Sequence, residues 1–538
     1  MPSSNLAESP APVASSEAEA HYAAACRLWD AGLRGDAIAR LDTALRLNPE
    51  SPDALGMGGY MLGEMGKPEA ALRFYGRALA LDPRLALAYS NAGKLLVGLG
   101  RPAEALEAFE AATALKPADA DAWNGRAGAL RELGRLEESV TAARRALALK
   151  PDFAEGAINL GNAFLKLDRM EEALEAYRRA RAARPDYAPA LCGEALALRN
   201  LGHYGEALAA FEAAEALGSG EAVAGKGCLL LTLGDFERGF EGYEARWLTG
   251  KSLTEALGTR YPTWAGPGKG QDRVLVLNDH GLGDTIQFVR YLPRMAAAGV
   301  EATFVCPSKL HRLLKATMPS RLVEAPPDEP FDAQIAVSSL PRAFHTRLDT
   351  VPADVPYLAA EPALSERWAA RIGAAGYKIG VAWQGNPNPE ADMARSFRLA
   401  ELAPLTRIPN TRLMSLQTGF GVEQLGEAKF QVESLGADFD AGPDAFLDAA
   451  AVMAHVDLVV TCDTSIAHLA GALGRPVWVA LKKDAEWRWL REREDSPWYP
   501  TMRLFHQTTP GNWDNVARRV VAALREFLAA RALCERPD

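Results

Sequence analysis

Apolar and polar positions follow two regimes along the chain, and the first of them repeats. Prolines close apolar runs at Pro49, Pro83, Pro117, Pro151 and Pro185, a step of 34 residues each time. Glycine keeps the same beat at Gly32, Gly66, Gly100, Gly134 and Gly202, with Asp168 in the fifth copy. Small residues follow at Ala37, Ala71, Ala105, Ser139, Ala173 and Ala207, and large ones at Leu41, Tyr75, Phe109, Tyr177 and Phe211. A second alanine recurs at Ala44, Ala78, Ala112, Ala146, Ala180 and Ala214. This beat predicts antiparallel helix pairs. Glycine closes the first helix in a left-handed conformation, the alanines let the helices approach, the aromatic fills the gap, and proline stops the second helix. Six full copies run from about residue 18 to 221. A seventh, LLLTLGDFERGFEGYEARW, keeps Gly234 and Tyr243 in pattern but runs two residues short, as a terminal copy adapted to dock on something else would.

Beyond residue 252 the texture changes. YPTWAGPGKGQDR is a Pro/Gly-rich joint, and RVLVLN (273–278) reads as a buried strand. EATFVC, RLVEA, AQIAV, KIGVAW, RLMSLQ, VDLVV and PVWVAL read the same way, with helical patterns between most of them, as in parallel βαβ units. A proline-bearing break at about 351–376 divides this region into two alternating halves. The expected fold class is α + α/β: a helical-repeat solenoid followed by two Rossmann-like lobes, with a nucleotide or nucleotide-sugar site at strand C-terminal ends.

Composition narrows the partners. The chain has 538 residues and a formal net charge of −10, which leaves no basic excess for general nucleic-acid binding. Six cysteines stand far apart with no CxxC pair, so buried thiols are expected, not a disulfide framework or zinc site. The first twenty residues lack a basic region followed by an apolar core, and no apolar stretch approaches membrane-spanning length. A cytoplasmic protein without a membrane span is the expectation.

Three motifs each follow a predicted strand. In NDHGLGDTIQFVRYLP, Gly281 and Gly283 form a tight turn that exposes Asp284, either as a proton acceptor for an attacking hydroxyl or as a plain helix cap. The loop VAWQGNPNPEADMARSFRL offers Gln384, Asn386 and Ser396 to a sugar or base edge, with Arg395 as a phosphate ligand; an ordinary surface loop is the alternative. TCDTSIAHLAGALGRPVWVAL places Asp463, Thr464 and Ser465 at a helix N-terminus, where free N–H groups and the dipole favour an anion. His468 lies four residues after Thr464 and faces the same way, although a lone histidine there is more often a satisfied core residue. Lys482 and Lys483 offer charge for a diphosphate, or are solvated loop lysines; Trp487 and Trp489 stack on a base, or are buried packing. Asp438 and Asp440 mimic a metal-binding DxD in a Gly/Pro loop and are discounted, and the histidines show no ligand spacing.

The repeat resembles the tetratricopeptide (TPR) repeat. Taken in order, HGLGDTIQFVRYLP, WQGNP…RS, SLQTG, DTSIAHLAGALGRPVWVAL and EWRWLREREDSPWYPTMRLF, with GDFERGFEGYEARW at the joint, resemble bacterial TPR-fused glycosyltransferases with a heptosyltransferase-like GT-B catalytic part. The resemblance implies a disordered tail over 1–17, a TPR solenoid over 18–252 and a linker over 253–272. It implies an N-terminal lobe over 273–357, a donor-binding lobe over 358–512 and a closing helix over 513–538. It makes Asp284 the base and Gly281, Gly283, Gln417, Asp463, Thr464, Ser465 and His468 part of the donor cradle. Two departures stand out: Asp279-His280 where Glu-Gln is usual, which brings His280 forward as a proton-transfer group, and Ala449 where threonine is usual. Asn91 and Asn159 sit where asparagines of nucleocytoplasmic O-GlcNAc transferases clamp a substrate backbone. The implied activity is metal-independent and, by a single displacement, inverting in outcome, with no resident cofactor. A CMP-, UDP- or ADP-linked sugar is the co-substrate, and the acceptor is a protein Ser or Thr. Flagellin, carrying a nonulosonic acid such as pseudaminic acid, is the leading acceptor. A TPR adaptor with an inactive transferase-like half, or transfer to lipopolysaccharide or another glycan, are the alternatives.

Overall fold

The computed structural model describes residues 11–249, 261–387, 394–491 and 493–534. It divides into two compact units, residues 1–219 and 220–538.

The first unit is the repeat array: six helix pairs from α1 (Ala11–Asp30) and α2 (Arg34–Leu47) to α11 (Ala188–Leu201) and α12 (Tyr204–Ala216). The intervening α3 (Pro52–Glu64) through α10 (Met170–Ala183) include α5 (Ala86–Gly98), α7 (Ala120–Glu132) and α9 (Ala154–Lys166). The beat glycines adopt positive φ, from +70° at Gly66 to +87° at Gly202, and Asp168 does the same at +59°. The beat alanines Ala37, Ala71, Ala105 and Ala173 are fully buried beside Tyr75, Phe109 and Tyr177. Helix α1 begins at Ala11, inside the stretch expected to be a disordered tail; the Ala- and Glu-rich run from residue 14 has high helix propensity and no glycine to stop it.

The second unit opens with the seventh pair, α13 (Gly220–Thr232) and α14 (Phe236–Tyr243), followed by the short α15 (Arg246–Thr249). The division into compact units at 219 therefore falls inside the expected solenoid of 18–252, ahead of its seventh pair. Phe236, Phe240 and Tyr243 pack into the same core as Trp487 and Trp498, so burial of this amphipathic helix ties it to the α/β part. The expected linker is shorter than 253–272 as well: Trp264 is buried, and Pro262–Trp264 exchange backbone hydrogen bonds of 2.9 Å with Gln334.

Two parallel sheets follow. The first has the order β3-β2-β1-β4, built from β1 (Arg273–Leu277), β2 (Glu301–Val305), β3 (Arg321–Val323) and β4 (Ala333–Ala336). The second has the order β6-β5-β7-β8-β9: β5 (Tyr377–Ala382), β6 (Thr411–Ser415), β7 (Leu458–Cys462), β8 (Val477–Leu481) and β9 (Met502–His506). β9 is a strand the apolar runs did not reveal, because Arg503 and His506 interrupt it. Helix α16 (Leu282–Phe288) follows β1, α17 (Pro362–Ile372) precedes β5, and α18 (Leu447–Met453) and α19 (Ser465–Ala472) flank β7. The closing α20 (Trp513–Cys534) belongs to the second lobe, since Val516, Val520 and Leu524 pack on Val460, Trp478 and Phe505.

Candidate active site

In each sheet the chain order reverses once, and a crevice opens beyond the strand ends where it does. In the first sheet that point lies between β1 and β4, and in the second between β5 and β7. The loops there carry the three motifs: 278–284 after β1, 383–387 and 394–396 after β5, where residues 388–393 of the motif lie outside the described residues, and 462–465 after β7.

The two crevices meet. A Cβ placed on Gly283 would stand 3.1 Å from His468 Cδ2 and 3.4 Å from Ser465 Cα, so the glycine lets the β1 turn lie closely on the start of α19. Asp284, half-buried, accepts the Gly281 N–H at 3.2 Å with Oδ2 and forms an ion pair with Arg488 through Oδ1. The buried Arg488 guanidinium also binds Glu486, donates to Gln287 Oε1 at 2.7 Å, and lies on the Trp487 and Phe288 rings. Arg488 was not foreseen; it is the cation at the centre of this site.

On the second lobe, Thr464 caps α19 in extended conformation and its side chain takes no part in capping. Arg395 and Thr464 both line Gly385: the guanidinium is 3.3 Å from where a Gly385 Cβ would be, and Thr464 Cγ2 is 3.5 Å from the same point. Arg395 Nε is buried without a hydrogen-bond partner among the described residues. Burial pushes the Asp463 carboxyl up, opposed by the charges of Arg395 and Arg488. Lys483 is exposed and Lys482 half-buried.

His468 is a core residue. It is buried, stacks on Trp489 at 5.2 Å, and shares a 3.0 Å hydrogen bond between Nδ1 and the Tyr499 hydroxyl. Burial, and next to it the charge of Arg488, push its pKa down to about 3, so the ring is neutral near pH 7. Trp487 and Trp489 are likewise buried packing. His280 has both ring nitrogens engaged within the protein, Nδ1 with Asp279 Oδ2 at 2.7 Å and Nε2 with the Tyr243 hydroxyl at 3.0 Å.

Gln417 is a loop clamp, not a reader of donor. Its Oε1 accepts the N–H groups of Trp383 and Gln384 at 3.0 and 3.1 Å, and Nε2 donates to the Gln384 and Phe420 carbonyls, each at 2.8 Å. Gln384 accepts from Gln424 Nε2 at 2.9 Å, Ser396 Oγ accepts the Gly385 N–H at 3.0 Å, and Asn386 is exposed. A cavity of about 280 Å³ opens beyond β6, lined by Thr418, Val422, Leu425, Leu435, Phe439 and Asp440.

The DxD mimic is split. Asp438 pairs with Arg371 at 2.9 Å, while Asp440 accepts the N–H groups of Asp448 and Ala449 at the start of α18. Among the described residues no group of three or more His, Cys, Asp or Glu is placed to hold a metal, and no helix is long and apolar enough to cross a membrane.

In the repeat array the two asparagines serve the repeats themselves. Asn159 Nδ2 donates to Asn124 Oδ1 at 2.7 Å, and Asn91 hydrogen-bonds to Tyr75.

Comparison with known proteins finds both parts of the chain. The tetratricopeptide-repeat family matches residues 22–86, 90–152, 129–188 and 192–253. Glycosyltransferase family 9 (heptosyltransferase) matches residues 439–481, the stretch from Phe439 through α18, β7 and α19 to the end of β8. Protein FlbA of Caulobacter vibrioides is 29% identical over 334 residues, 56% of this chain and 54% of that protein. The chain thus spans about half the length of this curated relative. Among solved structures, MamA is 24% identical over 30% of this chain and 94% of its own, with a TM-score of 0.28. YrrB, a TPR protein with an unusual peptide-binding site, is 23% identical over 33% and 91%, with a TM-score of 0.29. The type IV pilus biogenesis factor PilW is 20% identical over 37% and 92%, with a TM-score of 0.35.

Proposed function

From a chain that joins tetratricopeptide repeats to a heptosyltransferase-like glycosyltransferase region, we propose a protein O-glycosyltransferase that takes its sugar from a nucleotide donor. The observation that carries the reading is the meeting of the two switch-point crevices, with Asp284 on one side and the start of α19 with Arg395 on the other. The donor's phosphate lies on the N–H groups at the start of α19, with Arg395 and Arg488 supplying the countercharge. The cavity beyond β6 takes the nucleobase; its volume is near the lower end of ligand pockets, which run from about 300 Å³. The acceptor hydroxyl oxygen bonds to the anomeric carbon as the sugar–phosphate bond breaks. Its proton passes to Asp284, and the nucleoside diphosphate or monophosphate leaves with the bonding pair. A single displacement of this kind inverts the anomeric centre. The repeat array selects a protein Ser or Thr, with flagellin and a nonulosonic acid as the leading acceptor and sugar by resemblance.

The experiment is thermal unfolding with CMP, UDP, ADP and GDP, comparing wild type with Asp463→Ala and Arg395→Ala. A ligand at 100 times its dissociation constant adds about 2.7 kcal/mol to the unit that binds it. One nucleotide stabilising the wild type and neither variant supports the site and names the donor base. No shift from any of the four rejects the donor cradle and favours an adaptor. Asp284→Asn then separates the roles: transfer is lost and nucleotide binding kept if Asp284 is the base.

A further inference from the structure

The seventh helix pair follows the repeat pattern yet belongs to the α/β unit, and one of its side chains, Tyr243, hydrogen-bonds to the turn that carries Asp284. The Tyr243 hydroxyl meets His280 Nε2 at 3.0 Å, and His280 Nδ1 meets Asp279 Oδ2 at 2.7 Å. With Asp279 an anionic acceptor, the ring donates from Nδ1 and accepts the tyrosine O–H at Nε2. Asp279, its side chain wholly buried, also accepts the Ser338 N–H at 3.2 Å and the Ser338 hydroxyl, which anchors the turn to the end of β4. Arg246 closes the assembly. It stacks on Tyr243 with its guanidinium carbon 4.2 Å from the ring centre, and donates from Nη2 to Ser338 Oγ at 2.7 Å and Ser339 Oγ at 2.8 Å. Inside the turn, Asn278 Nδ2 donates to the His280 carbonyl at 3.0 Å and Thr285 Oγ1 donates to Asn278 Oδ1 at 2.6 Å.

The same helix reaches the other support of Asp284. Phe240 and Tyr243 pack edge-on against Trp487, with ring centres 5.6 and 6.0 Å apart, and the neighbouring Arg488 holds the Asp284 carboxylate. A helix pair that served only to cover apolar surface would not need a buried phenol, an imidazole, a carboxylate and two serines connected in sequence, each of which costs desolvation unless paired.

We propose that the seventh pair is a positioning element of the Asp284 turn, and that Tyr243 is its positioning residue, acting through His280 and Asp279. The inference rests on the glycosyltransferase reading only for what the turn does, not for the coupling itself. A repeat captured by the transferase unit would let the end of the array set the geometry of the proposed base.

The test uses the full chain with Tyr243→Phe and His280→Gln, the latter keeping a donor and an acceptor at similar reach. Amide hydrogen exchange reads the turn at 278–285 against β7 and α19 at 458–472. Tyr243→Phe is expected to speed exchange in the turn roughly five- to tenfold, the equivalent of one lost hydrogen bond, leave 458–472 unchanged, and be matched less than twofold by His280→Gln. In donor turnover with CMP-, UDP- and ADP-linked sugars, Tyr243→Phe lowers kcat with the donor KM unchanged. Unaltered exchange in the turn, or equal loosening of 458–472, overturns the positioning role. If the wild type turns over none of these donors, the exchange result still decides the coupling, and the failure falls on the glycosyltransferase reading alone.

Discussion

Arg488 is the residue whose removal the structure constrains most sharply. Its side chain is 7% exposed, against 23% for Asp284 and 42% for Glu486, so it is a buried cation between two partly solvated carboxylates. Two unit charges 4 Å apart attract by about 4 kcal/mol at an effective dielectric near 20. Desolvation of the guanidinium and solvent screening of the carboxylates offset more than half of that, which leaves a coupling of about 1–2 kcal/mol between Arg488 and Asp284. Arg488→Met costs more than the coupling, about 3 kcal/mol, because the fully buried Gln287 amide oxygen also loses its donor at 2.7 Å. The assay is a double-mutant cycle of Arg488→Met and Asp284→Asn by urea unfolding. Tryptophan fluorescence suits it, since nine of the eleven tryptophans lie beyond residue 219 and report the unit concerned. Additivity within about 0.5 kcal/mol would refute the claim that the two charges are a coupled pair.

Three further outcomes follow from particular contacts. Gly125→Ala should unfold the first unit more readily by about 1–3 kcal/mol, because the new methyl would stand 2.3 Å from the Phe109 ring; circular dichroism melting of the helical array checks it. Gly283→Ala should weaken the stabilisation by nucleotide in the thermal assay with little loss of basal stability, since the 3.1 Å approach to His468 presses the two crevices apart; an undiminished nucleotide shift would show that they do not meet. Acid should destabilise the second unit. The neutral His468, pushed down to about 3 in the folded state, contributes stability that is full above the unfolded value near 6.5 and is lost as pH falls from there toward 3, by a few kcal/mol in all. His468→Gln should flatten that part of the stability–pH curve measured by urea titration, and an unchanged slope would assign the acid sensitivity elsewhere.

The repeat array was readable because each of its constraints is local. A glycine closing a helix at positive φ and an alanine facing an aromatic recur at a fixed spacing whatever else the chain does. The asparagines misled for a reason that lies between repeats. The place Asn91 and Asn159 occupy is taken by Gly125 and Gly193 where it faces Phe109 and Tyr177, with Cβ positions only 2.3 Å from those rings. Asn91 fits there by bonding Tyr75, and Asn159 stands one repeat beyond Ala143, where the large residue is missing and room for Asn124 and Asn159 to pair is left. A residue type chosen to complement its neighbour in the stack looks, in one dimension, like a residue chosen for a ligand.

The site shows the opposite case, in which local chemistry was legible and its partners were not. The Gly283 turn and the start of α19 could be marked as loops of interest from glycine and hydroxyl placement alone, and the structure brings them together. Their countercharge could not, because Arg488 lies 204 residues from Asp284 and sits among tryptophans that read as core. Lys482 and Lys483 follow a buried strand, just as the motif residues do, and on that ground looked suited to a diphosphate. Strand order sets them further off: the crevice lies between β5 and β7, and they leave β8, one strand spacing of about 4.8 Å beyond β7. Sequence places a residue at the end of a strand, but only the order of strands in the sheet says which end faces the ligand. For the same reason Arg395, on the loop leaving β5, is the one cation of the sequence-derived set that stands beside Thr464.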